Sequence, residues 1–568
     1  METQPSDRSQ PPPLPDLGPW RRAWFVFPAW GAFVLASPGV LKPAGAPLLA
    51  FVAMVLWSGA AVRPGRRAFL VEWLAAALAM GGLMHWLAYI SPFVVPPAGI
   101  GMGLYMAAAG SLARALARRL PIFLAASLAW TSLETLRDLI EPPFGMGWVR
   151  LAHCVVDFEP LLGCARVIGP AGLGFVVVAA AAGLSGAWRA LVERHRNRAV
   201  VEFGGGILAL VAGLALARIV PAPATEPGPT LLLVQPGLSQ ARKQLDPDDQ
   251  SIMREQVLLS RAGQAAGPVD LVVWSETMVR FEIASPEAVE AAAGGAEFDS
   301  WQAERGEPSK WFDLMHEQYQ RLWVRDMVFG DRIGGFAGGA ALMPGTSFLG
   351  GIEEWRPQGG RLRRFNVACL WTPDGQRATA AKTHLVPLGE TTFGFERFEP
   401  IRRAMYAMAR YIPDFASAPT TSLTFEDRQG RAWRMGQAIC FDNAFIESFP
   451  GDVDFHVVLS NEAWYRRSIE LDQMIAFTRL AAVSSGRSVA RCTNSGVSAL
   501  IDPSGREVER LTVDGDDREV QGTLRVQVPV PSDPSSSTPF AALRPLWRSA
   551  WALLGLGLLA LPRRRREA

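Results

Sequence analysis

Charge is scarce in this chain. Asp, Glu, Lys and Arg together make up 19% of its 568 residues and nearly cancel, leaving a formal net charge of +2. No domain or stripe is strongly basic, which argues against nucleic acid as a partner. Histidine is scarcer still, with six in all. None falls in HExxH or another metal-ligand spacing, so no metal or other cofactor is expected. The run from Gly334-Gly335 to Gly339 is glycine-rich but lacks the Lys-Ser/Thr of a phosphate loop. Ser484-Ser485 and Ser535–Ser537 stand in no nucleophile-elbow pattern. The N-terminal stretch lacks a charged-then-apolar start with a small-residue cleavage site. It is rich in Pro and Ser, and residues 1–22 read as a disordered tail and not as a signal peptide.

Apolar sequence, by contrast, is abundant and unevenly spread. Apolar residues make up 49% of the chain, concentrated in long runs between Trp24 and Val220, whereas Thr230 to about Val530 has the composition of a soluble domain. A length of 568 residues requires at least two units. A helix needs about 20 apolar residues to cross a bilayer. Seven stretches qualify within residues 23–220, at 23–41, 45–62, 68–90, 98–117, 121–140, 165–188 and 203–220, and an eighth lies at 546–562. Pro28 and Pro38 interrupt the first; Glu134, Arg137 and Asp138 interrupt the fifth. Any one alone reads equally as a buried core helix, but eight together argue for membrane spans.

Basic residues fall on every second loop: Arg21–Arg22; Arg63, Arg66 and Arg67; Arg114, Arg118 and Arg119; Arg189, Arg194, Arg196 and Arg198; and the tail 563–568 with Arg563–Arg566. By the positive-inside rule both termini are then cytoplasmic. The region 228–532 faces outward, on the periplasmic side of a cell inner membrane. Five cysteines, Cys154, Cys164, Cys369, Cys440 and Cys492, are an odd number, so at least one thiol is free. Cys154 and Cys164 share an expected outer loop and could pair.

From Thr230 short β-type runs alternate with helical stretches. Strands are expected at Leu231–Gln235, Leu271–Trp274, Gly334–Ala341, Asn366–Trp371, Met435–Cys440, Phe455–Ser460, Val489–Asn494, Ser498–Asp502 and Leu524–Val530. Helices are expected at Asp248–Ala265, Lys310–Asp326 and Glu470–Ser485. Three reactive groups stand at strand ends or beside turns: Glu276 in WSET, Lys382 ahead of a Pro/Gly turn, and Cys440. A thiol attacks only as thiolate and so needs a base or a cation. Glu276 could be that base if burial raised its pKa, and Lys382 could stabilise the thiolate and the oxyanion. Alone, each has a bland reading: a small core residue for Cys440, a solvated strand end for Glu276, a surface lysine for Lys382.

Their order changes the reading. WSET (274–277), AKTHLVPLGE (381–390), ICFDNAF (439–445) and LSNEAWY (459–465) stand in one outward domain, with RCTNSGVSALIDPSGR at 491–506. The set resembles the nitrilase, or carbon–nitrogen hydrolase, superfamily. With the flanking spans the whole chain resembles the apolipoprotein N-acyltransferase family. The resemblance implies a polytopic α-helical membrane domain plus an α+β, nitrilase-like αββα sandwich. It implies a Glu276–Lys382–Cys440 triad working by ping-pong. Cys440 would take an acyl group from a phospholipid donor, then pass it to a diacylglyceryl lipoprotein acceptor. Glu390 would orient Lys382 or the amine, with Phe441 and Asp442 as supporting residues. Nothing requires more than a monomer. A membrane-anchored amidase, with water as second nucleophile, is the alternative; an inactive scaffold is a third.

Three positions depart from the family pattern. Phe441-Asp442 stand where Tyr-Glu is usual, Ser275 stands where Pro is common, and no aromatic occurs around Arg242–Leu245. Glu276 and Lys382 lie 106 residues apart, a long interval for the family. Within it Trp311, Met315, Tyr319, Leu322 and Trp323 recur partly at helical spacing. They suit either a lid dipping into the lipid interface or an amphipathic helix packed on the sheet.

Overall fold

The computed structural model describes residues 16–140, 142, 145–245, 249–299, 306–316, 342–392, 394–395, 398–403 and 414–560. Contacts divide the chain into two units. The helical unit comprises residues up to Leu139, Val149–Val220 and Leu543 onward; the other holds Ile140–Trp148 and Pro221–Ala542.

Every apolar stretch anticipated in the helical unit is a helix: Pro19–Ala36, Pro47–Ala61, Ala68–Leu83, Val95–Leu116, Ile122–Leu139, Ala165–Val192, Arg196–Ile219 and Arg544–Ala560. Among the described residues, three are long and apolar enough to cross a membrane, covering Pro92–Leu116, Ala165–Val192 and Arg196–Ile219. The first helix tolerates Pro28 but stops at Ala36, before Pro38, as expected when proline restricts the residue ahead of it. The third gives way after Leu83 to a 3-10 turn at His85–Tyr89, short of the expected Ile90. Cys154 and Cys164, which the sequence left open as a pair, are not joined: both thiols are free and buried, and Cys154 lies 3.8 Å from the Ser37 hydroxyl.

The second unit is built on two sheets. Its strands are β1 (Thr225–Gln235), β2 (Leu271–Trp274), β3 (Glu282–Ala284), β4 (Ser347–Gln358), β5 (Arg361–Trp371), β6 (Arg377–Ala381) and β7 (Phe415–Ala416). They continue with β8 (Ser422–Glu426), β9 (Ala432–Ile439), β10 (Phe455–Ser460), β11 (Val489–Thr493), β12 (Ala499–Ile501), β13 (Glu507–Arg510) and β14 (Gly522–Pro531). One sheet runs β14-β1-β2-β4-β5-β6, with β3 on β4 and β7 on β5; the other runs β13-β12-β11-β10-β9-β8.

Side chains alternate across each strand, and the packing follows that period. Leu231, Leu233, Leu271 and Val273 join Met435, Ile439, Val457 and Leu459 in a core between the sheets. Leu232, Val234, Val272 and Trp274 point the other way, with Ile252 and Met253 of the helix Asp249–Gln264. The helix Glu470–Ser485, buried along its whole length, contacts β12 of the second sheet. The layers are therefore helix, sheet, sheet, helix. Parallel pairing of β2 with β1 and β4, and of β10 with β9 and β11, puts these strands between two covered faces. That is why they read as continuous apolar runs such as Leu271-Val272-Val273-Trp274.

Six strands had no clear sequence signal: β3, β4, β6, β7, β8 and β13. The expected strand Gly334–Ala341 lies outside the described residues, as do Tyr319, Leu322 and Trp323. The described part of that interval forms a helix at Pro308–Met315. Its Phe312 is buried with Phe298, Trp355 and Leu362, and Trp311 packs against the same cluster.

Candidate active site

Parallel strands deliver their carboxyl ends to one edge of a sheet, where loops can carry reactive groups on a rigid base. Here β2 ends at Trp274 and places Glu276 two residues on; β9 ends at Ile439 and places Cys440 next; β10 ends at Ser460-Asn461. Lys382 follows the antiparallel β6, and its N–H is fixed by the carbonyl of Asn366 on β5 at 2.9 Å. Cys440 holds φ +50°, and Thr277 after Glu276 does the same. Left-handed backbone at non-glycine residues costs about 1–3 kcal/mol and persists only where surrounding packing imposes it.

These elements bring the three anticipated residues together. The Lys382 ammonium, with 1% of its side chain exposed, donates to Glu276 Oε1 at 3.1 Å and to Glu390 Oε1 at 2.9 Å. Asn366 Nδ2 bridges the same two carboxylates, at 2.8 Å to Glu276 and 3.0 Å to Glu390. The backbone N–H of Asn461 donates to Glu276 Oε2 at 3.0 Å, and that of Val386 to Glu390 Oε2 at 2.9 Å. The buried Glu276 carboxylate and the half-buried Glu390 thus both meet convergent donors, the usual condition for burying such groups. Cys440 stands within the field of all three charges.

Electrostatics follow from this crowding. Burial opposes the Lys382 charge, but Glu276, Glu390, Cys440 and Asp442 outweigh it and hold the pKa well above the ordinary lysine value. Burial first and Glu276 second push the Cys440 thiol up to about 12, against the pull of Lys382. At neutral pH the sulfur therefore carries its proton and needs a base to remove it.

Two further residues singled out by the resemblance, Phe441 and Asp442, lie on the turn that follows Cys440. Asp442 ties the Cys440 turn to the lysine loop: Oδ1 accepts from His384 N at 2.7 Å and contacts His384 Nδ1 at 2.9 Å, while Oδ2 accepts from Ile439 N at 3.2 Å. Phe441 stacks on Trp148 at 6.0 Å between ring centroids and meets Phe445 edge-on at 5.1 Å.

Four contributors escaped the sequence reading. Trp148 was hidden among the apolar helices; its Nε1 donates to Gln473 Oε1 at 2.7 Å. Lys243 stands where an aromatic was sought. Its Nζ is buried and donates to the Glu276 carbonyl at 3.0 Å and Thr277 Oγ1 at 2.6 Å, and burial lowers its pKa to about 7. Asn461 lay inside the LSNEAWY motif and Asn366 at the start of an expected strand, both without a role; a polar residue at the end of an apolar run was their only signal. Among the described residues no group of His, Cys, Asp and Glu forms a metal-binding cluster.

Comparison with known proteins bears on the family. Residues 31–183 match the family model for the apolipoprotein N-acyltransferase N-terminal domain, and residues 345–527 match that for carbon-nitrogen hydrolase. The chain is 29% identical to an apolipoprotein N-acyltransferase of Azotobacter vinelandii, over 96% of this chain and 97% of that one. It is 26% identical to the protein of the same name from Brucella melitensis, over 97% and 98% of the two chains. Among solved structures, a CN-hydrolase superfamily protein of Xanthomonas campestris is 18% identical with a TM-score of 0.31, covering 57% of this chain and 96% of that chain.

Proposed function

This chain belongs to the apolipoprotein N-acyltransferase family, a membrane-embedded branch of the carbon–nitrogen hydrolases, and from that premise we propose that it N-acylates the S-diacylglyceryl cysteine at the N-terminus of lipoproteins, drawing the acyl group from a phospholipid. One observation carries the mechanism: a buried lysine ammonium lies between two carboxylates in a site shared with the Cys440 thiol.

In the first half-reaction Glu276 takes the Cys440 proton and the sulfur attacks the ester carbonyl carbon of the phospholipid. Lys382 and the backbone N–H after Cys440 stabilise the resulting oxyanion. The C–O bond then breaks, and the lysophospholipid oxygen leaves with the proton from Glu276. In the second half-reaction the acceptor's α-amine attacks the thioester carbon. Its surplus proton passes to Glu276, the C–S bond breaks to give the amide, and the sulfur is reprotonated. Glu390 keeps Lys382 charged and aimed. Both substrates are lipid-anchored, so a site held at the outer leaflet by apolar helices gains concentration and orientation. The arrangement of basic loops supports an outward-facing catalytic domain with both termini inside.

The test is intact mass spectrometry of the full chain after incubation with phospholipid, beside Cys440→Ala. A fatty-acyl mass on the wild type is expected, absent in the variant and discharged by a diacylglyceryl-cysteine peptide. Discharge by water as fast as by the peptide would instead favour an amidase. No adduct on folded protein would remove the nucleophile assignment.

A further inference from the structure

Behind the sulfur lies a buried polar chain that the mechanism above leaves unused. Strands β9 and β10 are parallel, with Leu459 opposite Ile439. Cys440 follows β9 directly and Ser460 closes β10, so the two stand side by side at the strand ends, where the Ser460 hydroxyl lowers the thiol's pKa against the effect of burial. The same hydroxyl donates to Glu462 Oε1 at 2.9 Å, and Glu462 is paired with the Arg491 guanidinium. Ser460, Glu462 and Arg491 are all 0% exposed. Arg491 is further fixed by Nε donating to the Val497 carbonyl at 3.2 Å. Gly496 packs so closely on the Glu462 carboxylate that any Cβ there would collide with it. Guanidinium, carboxylate and hydroxyl are thus buried together behind Cys440.

We propose that Ser460 is a further catalytic group, a switchable hydrogen-bond partner of the Cys440 sulfur, with Glu462 and Arg491 as its positioning residues. The inference deepens the assignment of Cys440 as nucleophile and rests on it. A serine hydroxyl has one proton and two lone pairs. In the resting thiol state that proton is on the Glu462 side, and the oxygen can accept from S–H. Once Glu276 removes the thiol proton, the hydroxyl turns and donates to S⁻. Glu462 can release it because Arg491 still neutralises the carboxylate; a lone buried carboxylate could not. The donor is thus available when the thiolate forms and again when the C–S bond breaks and sulfur leaves with its electron pair. Hydrogen bonds to a charged atom are among the stronger ones in proteins.

The experiment follows iodoacetamide alkylation of Cys440 in the full chain in detergent, across pH 7 to 10, read by peptide mass spectrometry. Wild type, Ser460→Ala, Ser460→Thr and Glu462→Gln are compared, with thermal unfolding alongside. Ser460→Ala should alkylate about tenfold more slowly, with its profile displaced to higher pH. Its kcat for acyl transfer should fall about tenfold at unchanged KM, and Ser460→Thr should restore most of both. A Ser460→Ala profile that overlays the wild type, or a threonine variant as impaired as the alanine one, overturns the proposal. Wild type that forms no acyl-enzyme, yet shows the displaced alkylation profile in Ser460→Ala, would sink the acyl-transfer reading while supporting this role for Ser460.

Discussion

The two units bury charge in opposite ways. In the helical unit the Glu72 carboxylate receives Arg22 at 2.5 Å and Arg114 at 2.6 Å. Arg22 also donates to the carbonyls of Ala60, Arg63 and Pro64. Glu202 accepts the backbone N–H of Ile122 and Phe123 at the start of a helix, at 2.9 and 3.0 Å. Such groups are closed: each charge is matched by cations or by helix-end donors that need an acceptor in any case. In the sandwich unit one lysine serves two carboxylates, and the surplus negative charge falls on a thiol. A closed cluster locks helices together. An unbalanced one stores a reactive group that becomes an anion only when a base and an electrophile arrive together.

The largest effect that would test this contrast comes from Lys382→Met. It strands Glu276 and Glu390 without their cation, so acyl-enzyme formation should fall about 100- to 1,000-fold. Leaving buried charge unpaired should also cost about 3–5 kcal/mol of stability. Acyl-enzyme mass and denaturant unfolding measure the two. Next comes Glu72→Gln, which leaves Arg22 and Arg114 without their anion. Unfolding should show a loss of about 3 kcal/mol, while Cys440 alkylation stays at the wild-type rate. A large change in alkylation would break the separation between closed and reactive clusters. The smallest effect is a slope. The folded Cys440 thiol is raised from 9.0 to about 12, so above the ordinary thiol range the unfolded chain has lost that proton and the folded chain keeps it. This contribution is fully present below pH about 9 and fades as pH rises toward 12. Cys440→Ala should therefore flatten the alkaline decline in stability, and Glu72→Gln should leave it unchanged.

Much of the architecture was legible in order. The runs Leu271–Trp274 and Phe455–Ser460 coincide with β2 and β10 because strands buried on both faces must be apolar throughout. The helix Glu470–Ser485 was also read correctly, with Gly486 in left-handed conformation as its stop. By contrast β4, running Ser347–Gln358, contains Gly350-Gly351 and Glu353-Glu354, a pattern that local propensity reads as loop. Its pairing with β5 along the full length overrides that propensity. Gly351 is required there because a Cβ would strike the backbone of Glu276 and Thr277, so a weak strand residue makes room for the Glu276 loop.

Sequence by itself determined which groups could react. Composition and apolar length set aside a helical unit, and the order of WSET, AKTHLVPLGE and ICFDNAF named Glu276, Lys382 and Cys440, because chemistry needs particular side chains and turns need particular residues. Only the tertiary structure decided how those groups are wired. That Lys243 braces the Glu276 loop, that Asn366 joins Glu276 to Glu390, that Trp148 stacks on Phe441, and that Ser460 stands between Cys440 and Glu462 all depend on which strands lie side by side and which loops fold over them. Distances of 3 Å between residues far apart in sequence are set by sheet register and packing, and no local pattern of residues encodes them.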